Sequence, residues 1–161
     1  MKNQALTQAL STPADYSRNF DEVVEQLRAK LSQALKIDFF RDGHMDYSSS
    51  QKIELWLDTS CQPISERDAA LYVIRIFISS RGRFFAVRCV TQYSPRHWRT
   101  VPRGEYNESI QLHIQKIGRS LADEGYASLP EAVLSQRAEG HLTKLDNLQA
   151  TVFNVLFSEL G

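Results

Sequence analysis

Long apolar runs are missing from this chain, and none approaches the roughly 18 residues that a membrane-spanning helix needs. The first 12 residues scatter Ala5, Leu6, Ala9 and Leu10 among Gln and Asn, too polar for the apolar stretch of about 7 to 15 residues in a signal peptide. Cysteine is scarce as well. Cys61 and Cys89 are the only two in 161 residues and form no CxxC pair, so a secreted disulfide scaffold is excluded and a reducing compartment is expected. Charge of one sign is absent overall, because 19 basic residues cancel 19 acidic ones, and the whole molecule carries no field that would draw nucleic acid or membrane. With 7 glycines and 5 prolines, collagen and low-complexity readings fail. No repeat of solenoid period is visible. These absences predict a soluble, cytoplasmic protein with no membrane association.

Catalytic and ligand signatures are missing too. There is no Gly-x-Ser-x-Gly elbow, no P-loop, no Gly-rich nucleotide fingerprint and no HExxH. His44, His97, His113 and His141 lie far apart, and neither cysteine has a partner at metal-ligand spacing. No cofactor and no metal are expected, and the chain reads as a non-enzyme.

What is present is an ordinary globular composition, 42% apolar, 10% aromatic and 24% charged. A chain of this length buries about 70% of its unfolded surface. The expected organisation is a flexible polar lead over 1–15 and a single α+β domain over 16–161. Phe20, Val23, Val24, Leu27, Leu31, Ala34 and Leu35 recur at helical spacing and predict a helix over 19–35, opened by Asn19 and Glu22 in a capping-box pattern. The period then shortens to two. Ile37 with Phe39, and Ile53, Leu55 and Leu57 with polar or outward residues between, predict strands near 36–41 and 51–58. Runs rich in Val, Ile, Phe and Tyr over 71–79 and 83–93 flank Arg81-Gly82, which reads as a two-residue hairpin turn with glycine at positive φ. Ile110, Ile114, Ile117 and Leu121 predict a helix over 107–124, and Ser128, Pro130 and Glu131 open another over 129–138. Leu145, Leu148, Val152, Phe153, Val155, Leu156 and Phe157 predict a last, broadly apolar helix over 144–160. Strands in a run, with links too short for crossovers, imply an antiparallel sheet of about four strands on which two or three following helices pack. The first and last helices are expected to cover one face of it.

A turn centred on Arg81 and Gly82 sets a register. Ile78 faces Phe85, Ile76 faces Val87 and Ile74 faces Cys89 on one apolar side, while Phe77 meets Ala86, Val73 meets Val90 and Arg75 meets Arg88 on the other. Two opposed arginines repel by about 0.2–1 kcal/mol. Arg75 and Arg88 therefore need either a carboxylate, from Glu54, Asp58 or a helix, or a bound anion. They are the candidate anion site.

The zero net charge hides an asymmetry. Between Ala69 and Gly104 stand seven arginines, at positions 75, 81, 83, 88, 96, 99 and 103, with no Asp, Glu or Lys. Guanidinium favours planar, bidentate binding of carboxylate or phosphate, though neutralisation within the domain serves equally. Arg96, His97, Trp98, Arg99, Arg103 and Tyr106 interleave aromatic and basic side chains on a proline-punctuated loop. Trp, Tyr and Arg are the residue types that dominate protein interfaces, and also those that pin a loop to a core. The functional expectation is a protein-binding module that neutralises or escorts a protein partner, as immunity proteins acting as toxin inhibitors and chaperones do, with those six residues at the interface. Nucleic-acid or anionic-ligand binding through the arginine-rich segment 69–104 is the alternative.

Overall fold

A computed structural model describes residues 3–42, 49–57, 71–94, 97–143 and 147–157. The fold is α+β. Five helices accompany a mostly antiparallel six-stranded sheet and a separate two-stranded ladder among these residues. The chain runs α1 (Gln4–Ser11), α2 (Arg18–Leu35), β1 (Phe40–Asp42), β2 (Ser50–Trp56), β3 (Leu71–Ser79), β4 (Phe84–Ser94) and β5 (His97–Thr100). It continues with α3 (Glu108–Asp123), β6 (Ala127–Ser128), α4 (Glu131–Leu134), β7 (Arg137–Leu142), β8 (Gln149–Thr151) and α5 (Val152–Phe157). Strands β1 to β5 lie in sequence order, every pair antiparallel, and β6 joins the outer edge of β4 in parallel.

The β3–β4 register is the one the alternating pattern implies: Ile78 opposite Phe85, Ile76 opposite Val87, Arg75 opposite Arg88 and Val73 opposite Val90. Its centre falls between Arg81 and Gly82, but the link spans residues 80–83 rather than two residues, and Gly82 is not at positive φ. Glycine is required there by a neighbour. A Cβ on Gly82 would lie 2.9 Å from the Ala9 Cβ.

That neighbour belongs to α1, a helix inside the segment read from its polarity as a flexible lead. Asn3 caps it by accepting from the Leu6 N–H at 3.3 Å, and Ala9 is buried against Phe77, Phe84 and Leu156. Arg81 Nη1 donates to the Thr12 carbonyl at 2.6 Å and the Asp15 N–H to Ser80 Oγ at 2.9 Å, so the hairpin tip and the N-terminal segment hold each other. Gly82→Val is expected to destabilise the protein by about 1–3 kcal/mol through overpacking. Urea unfolding measures the loss, and hydrogen exchange should show protection falling first in α1.

Since side chains alternate along a strand, the two sheet faces carry separate cores. Ile53, Leu55, Ile74, Ile76, Ile78, Phe85 and Cys89 pack under α2 and α3, against Val24, Leu27, Leu31, Ile110, Ile117 and Leu121. Phe77, Phe84 and Ala86 on the opposite face pack against α5 and Leu129, Leu134, Val152, Leu156 and Phe157. The first and last predicted helices therefore cover opposite faces, not one. The odd positions of β3 hold an apolar group, Phe77, that needs a cover of its own.

Helix α2 starts at Arg18 because Ser17, not Asn19, caps it. It stops where Lys36 turns left-handed at φ 55°. The strand expected over 36–41 is the shorter β1, and that over 51–58 is β2, ending at Trp56; Asp58 lies outside the described residues. The helix expected over 107–124 is α3, capped by Asn107 at 2.8 Å from the Ile110 N–H. The helix expected over 129–138 is one turn only, α4, after which the chain becomes β7. The helix expected over 144–160 is replaced by β8 and the short α5. Asn147 at φ 55° interrupts the helical path, and β8 pairs with β7. Thr151 and Asn154 then cap α5 reciprocally, Asn154 N–H donating to Thr151 Oγ1 at 3.2 Å and Thr151 N–H to Asn154 Oδ1 at 2.9 Å. No described helix is long and apolar enough to cross a membrane.

Candidate interaction face

Helix α5 covers only one half of the second sheet face. Among the described residues, the half that no helix covers is built from one cross-strand row, Phe40–Glu54–Arg75, with Arg88 at the margin of α5, and the row above it, Trp56–Val73–Val90–Thr100. Trp98, opposite Gln92 on β4, extends this surface at the sheet edge. Val73 and Val90 are buried at its floor. Around them three large apolar side chains stay open to solvent: Phe40 is 55% exposed, Trp56 48% and Trp98 36%. Exposed aromatics gathered on one patch mark interaction surfaces more than scattered ones do.

The charges beneath them are internally organised. Trp56 Nε1 donates to Glu54 Oε2 at 3.1 Å, and Arg75 Nε stands 3.7 Å from Glu54 Oε1. The Arg75 guanidinium lies 5.2 Å from the centroid of the Trp98 ring, and Trp56 and Trp98 meet edge to face with centroids 6.5 Å apart. The buried Arg75 Nε makes no hydrogen bond to any described residue. Arg88 turns to other partners, stacking 3.7 Å from the Phe153 ring centroid and placing Nη2 3.6 Å from Glu131 Oε1. The opposed arginines are thus neutralised by two carboxylates, one from the next strand and one from the start of α4. An open cleft of about 500 Å³ between Phe40, Arg41, Glu54 and Trp56 adjoins the aromatic patch.

Only part of the expected six-residue interface gathers here. Trp98 joins the open face and His97 precedes it on the edge strand β5, where both are exposed. Arg99 sits on β5 with Nη1 3.6 Å from Glu105 Oε2. Arg103 lies in a 3-10 turn and shares Glu131 with Arg88, its Nη2 3.7 Å from Oε2. Tyr106 faces away from the open surface: it packs against the first core, and its Oη accepts from the Cys89 N–H at 3.4 Å. Burial raises its phenol pKa above the ordinary value, opposed first by the hydrogen bond from the Cys89 N–H and then by Arg103 and Arg88. Arg96 lies outside the described residues, as do His44 and Cys61. His113 is held within α3, its Nδ1 2.6 Å from the Ser109 carbonyl oxygen. Among the described residues no group of three His, Cys, Asp or Glu side chains is placed to hold a metal.

Three members of these arrangements were not singled out in the sequence. Phe40 and Trp56 stand at outward strand positions, and the signal was the alternation that puts Trp56 on the same side of β2 as Glu54, which pairs with both Phe40 and Arg75. Glu131 reads as a helix-capping acid, and nothing in its spacing ties it to Arg88 or Arg103. No protein-family model matches this chain, and no curated protein or solved structure matches it significantly.

Proposed function

We propose that the protein is a non-enzymatic binding module that docks on a protein partner, to neutralise or escort it, through the open half of the second sheet face. The observation that carries this reading is the patch of Phe40, Trp56 and Trp98, solvent-exposed around a guanidinium–carboxylate pair. Aromatic anchors beside arginine are the composition of interface hot spots. The Glu54–Arg75 pair, short of hydrogen-bond geometry at 3.7 Å, leaves Arg75 able to accept a partner carboxylate. Nucleic-acid binding draws less support, because Arg75, Arg88, Arg99 and Arg103 each stand within 4.0 Å of a glutamate.

A photo-crosslinker at Phe40, placed in the full chain in its own cell, tests the proposal. The protein it captures is then titrated in solution. Trp98→Ala is expected to weaken that complex by about 2 kcal/mol or more while leaving the melting temperature nearly unchanged, since β5 is an edge strand. Affinity should survive a salt titration, whereas phosphate contacts would make it fall linearly in log salt. Undiminished affinity in a Trp56→Ala, Trp98→Ala double variant would overturn the assignment of this face.

A further inference from the structure

Between β5 and β6 no strand of the described residues pairs with the outer edge of β4. Strand β6 pairs with Phe84 and Phe85, and β5 with residues from Val90 onward. The Arg83 carbonyl accepts from Ala127 and the Cys89 carbonyl from Val101, both on this outer side. By strand alternation the N–H and C=O of Val87 point the same way, into the gap. A cavity of about 370 Å³ occupies it, lined by Phe85, Val87, Ile114, Leu129 and Leu134, with Arg103, Tyr106 and Ser128 as its polar side chains. That volume falls in the lower part of the range for small-molecule sites, and apolar walls with a few convergent polar groups are their usual make-up.

Helix α3 keeps this space open. Gly118 lines the cavity one turn after Ile114, and a Cβ built on it would meet nothing within 4 Å. No close approach requires glycine there, although a mid-helix glycine costs about 1 kcal/mol relative to alanine. The charged group on the cavity wall is Arg103, whose Nη2 stands 3.7 Å from Glu131 Oε2, beyond hydrogen-bond distance. Tyr106 Oη accepts from Cys89, and its own proton goes to no group among the described residues.

We infer that this cavity binds a small organic acid with an apolar body, its carboxylate held by Arg103, the Tyr106 hydroxyl and the Val87 N–H, its body lying against Phe85, Ile114 and Leu134 over Gly118. The site lies apart from the Trp56–Trp98 surface and does not depend on it. Arg103 selects an anion, and the apolar part of the wall selects its apolar portion.

Titration of the full chain with octanoate, followed by amide NMR, tests the inference, with octanol and octylamine as neutral and cationic probes. Octanoate is expected to give saturable shifts at the Val87 and Gly118 amides, with the other two probes binding about tenfold or more weakly, the worth of a hydrogen bond to a charged group. Gly118→Leu, which fills the empty space, should abolish octanoate binding without lowering the melting temperature. Arg103→Gln, at an exposed position, should weaken binding about tenfold, and it decides the matter if Gly118→Leu does not fold. No saturable shift at either amide, octanol binding as tightly as octanoate, or undiminished binding in either folded variant would overturn the assignment.

Discussion

Replacing Phe157 by alanine is expected to lower the unfolding free energy by about 3–5 kcal/mol, the cost of removing a fully buried aromatic ring. Phe157 has no solvent exposure and anchors the second core. Its ring meets Phe77 at 6.4 Å and Phe153 at 5.5 Å between centroids. The Ser50 hydroxyl donates to its carbonyl, and that of the neighbouring Ser49 to Val155. Helix α5 is six residues long, too short to stand by its own hydrogen bonds, so it is held by what it buries. Denaturant titration measures the effect. A loss under about 1 kcal/mol would mean that α5 is a loosely attached appendage rather than the lid of the second face.

Cys89 is expected to be inert to thiol reagents while the protein stays folded. It is inaccessible to solvent on strand β4, and burial pushes its thiol up to about 12 from an ordinary value of 9.0. That rise reduces the reactive thiolate by a factor on the order of 10³ at neutral pH. A Cys61→Ser variant leaves Cys89 as the sole reporter, and its labelling rate should follow global unfolding. The same shift makes stability depend on pH. The folded thiol keeps its proton to higher pH than the unfolded one, so its contribution is intact below the ordinary thiol pKa. It then falls by about 1.4 kcal/mol per unit as pH rises toward 12. Tyr106 and Tyr126, both raised by burial, act in the same direction. Rapid labelling in the native state, or stability unchanged above pH 10, would contradict the burial of this strand.

The central hairpin was legible because period-two alternation admits only one register that keeps Ile74, Ile76 and Ile78 together: a slip of one residue would carry all three to the other face. Helices α2 and α3 were legible for the parallel reason, an uninterrupted 3.6-residue stripe, although the cap of α2 is Ser17 rather than Asn19. The segment after α4 was not. Leu148, Val152 and Val155 keep helical spacing, yet Leu148 is 63% exposed on the turn side of β8 and the chain bends at Asn147. Spacing states which residues share a face if the segment is helical. It does not state whether a β7 strand waits nearby to pair with it.

The candidate surfaces divide in the same way. That Arg75 and Arg88 stand opposed followed from the register, and that Glu54 was at hand followed from β2 lying beside β3. The parting of the two guanidiniums, one beneath Trp98 and one onto Phe153 and Glu131, rests on contacts between elements distant in sequence. So do the gap on the outer edge of β4 and the empty space over Gly118.

By itself the sequence determined the class, an α+β chain with a mostly antiparallel sheet, together with its hairpin register and two of its amphipathic helices, because each depends on a period or a cap spanning a few residues. Tertiary structure alone decided which half of the second face α5 leaves bare, where the last helix begins, and how Arg103 and Tyr106 come to share a cavity. Those outcomes depend on which segments compete for the same edge or face, and that competition is settled by burial across the whole molecule rather than by local pattern.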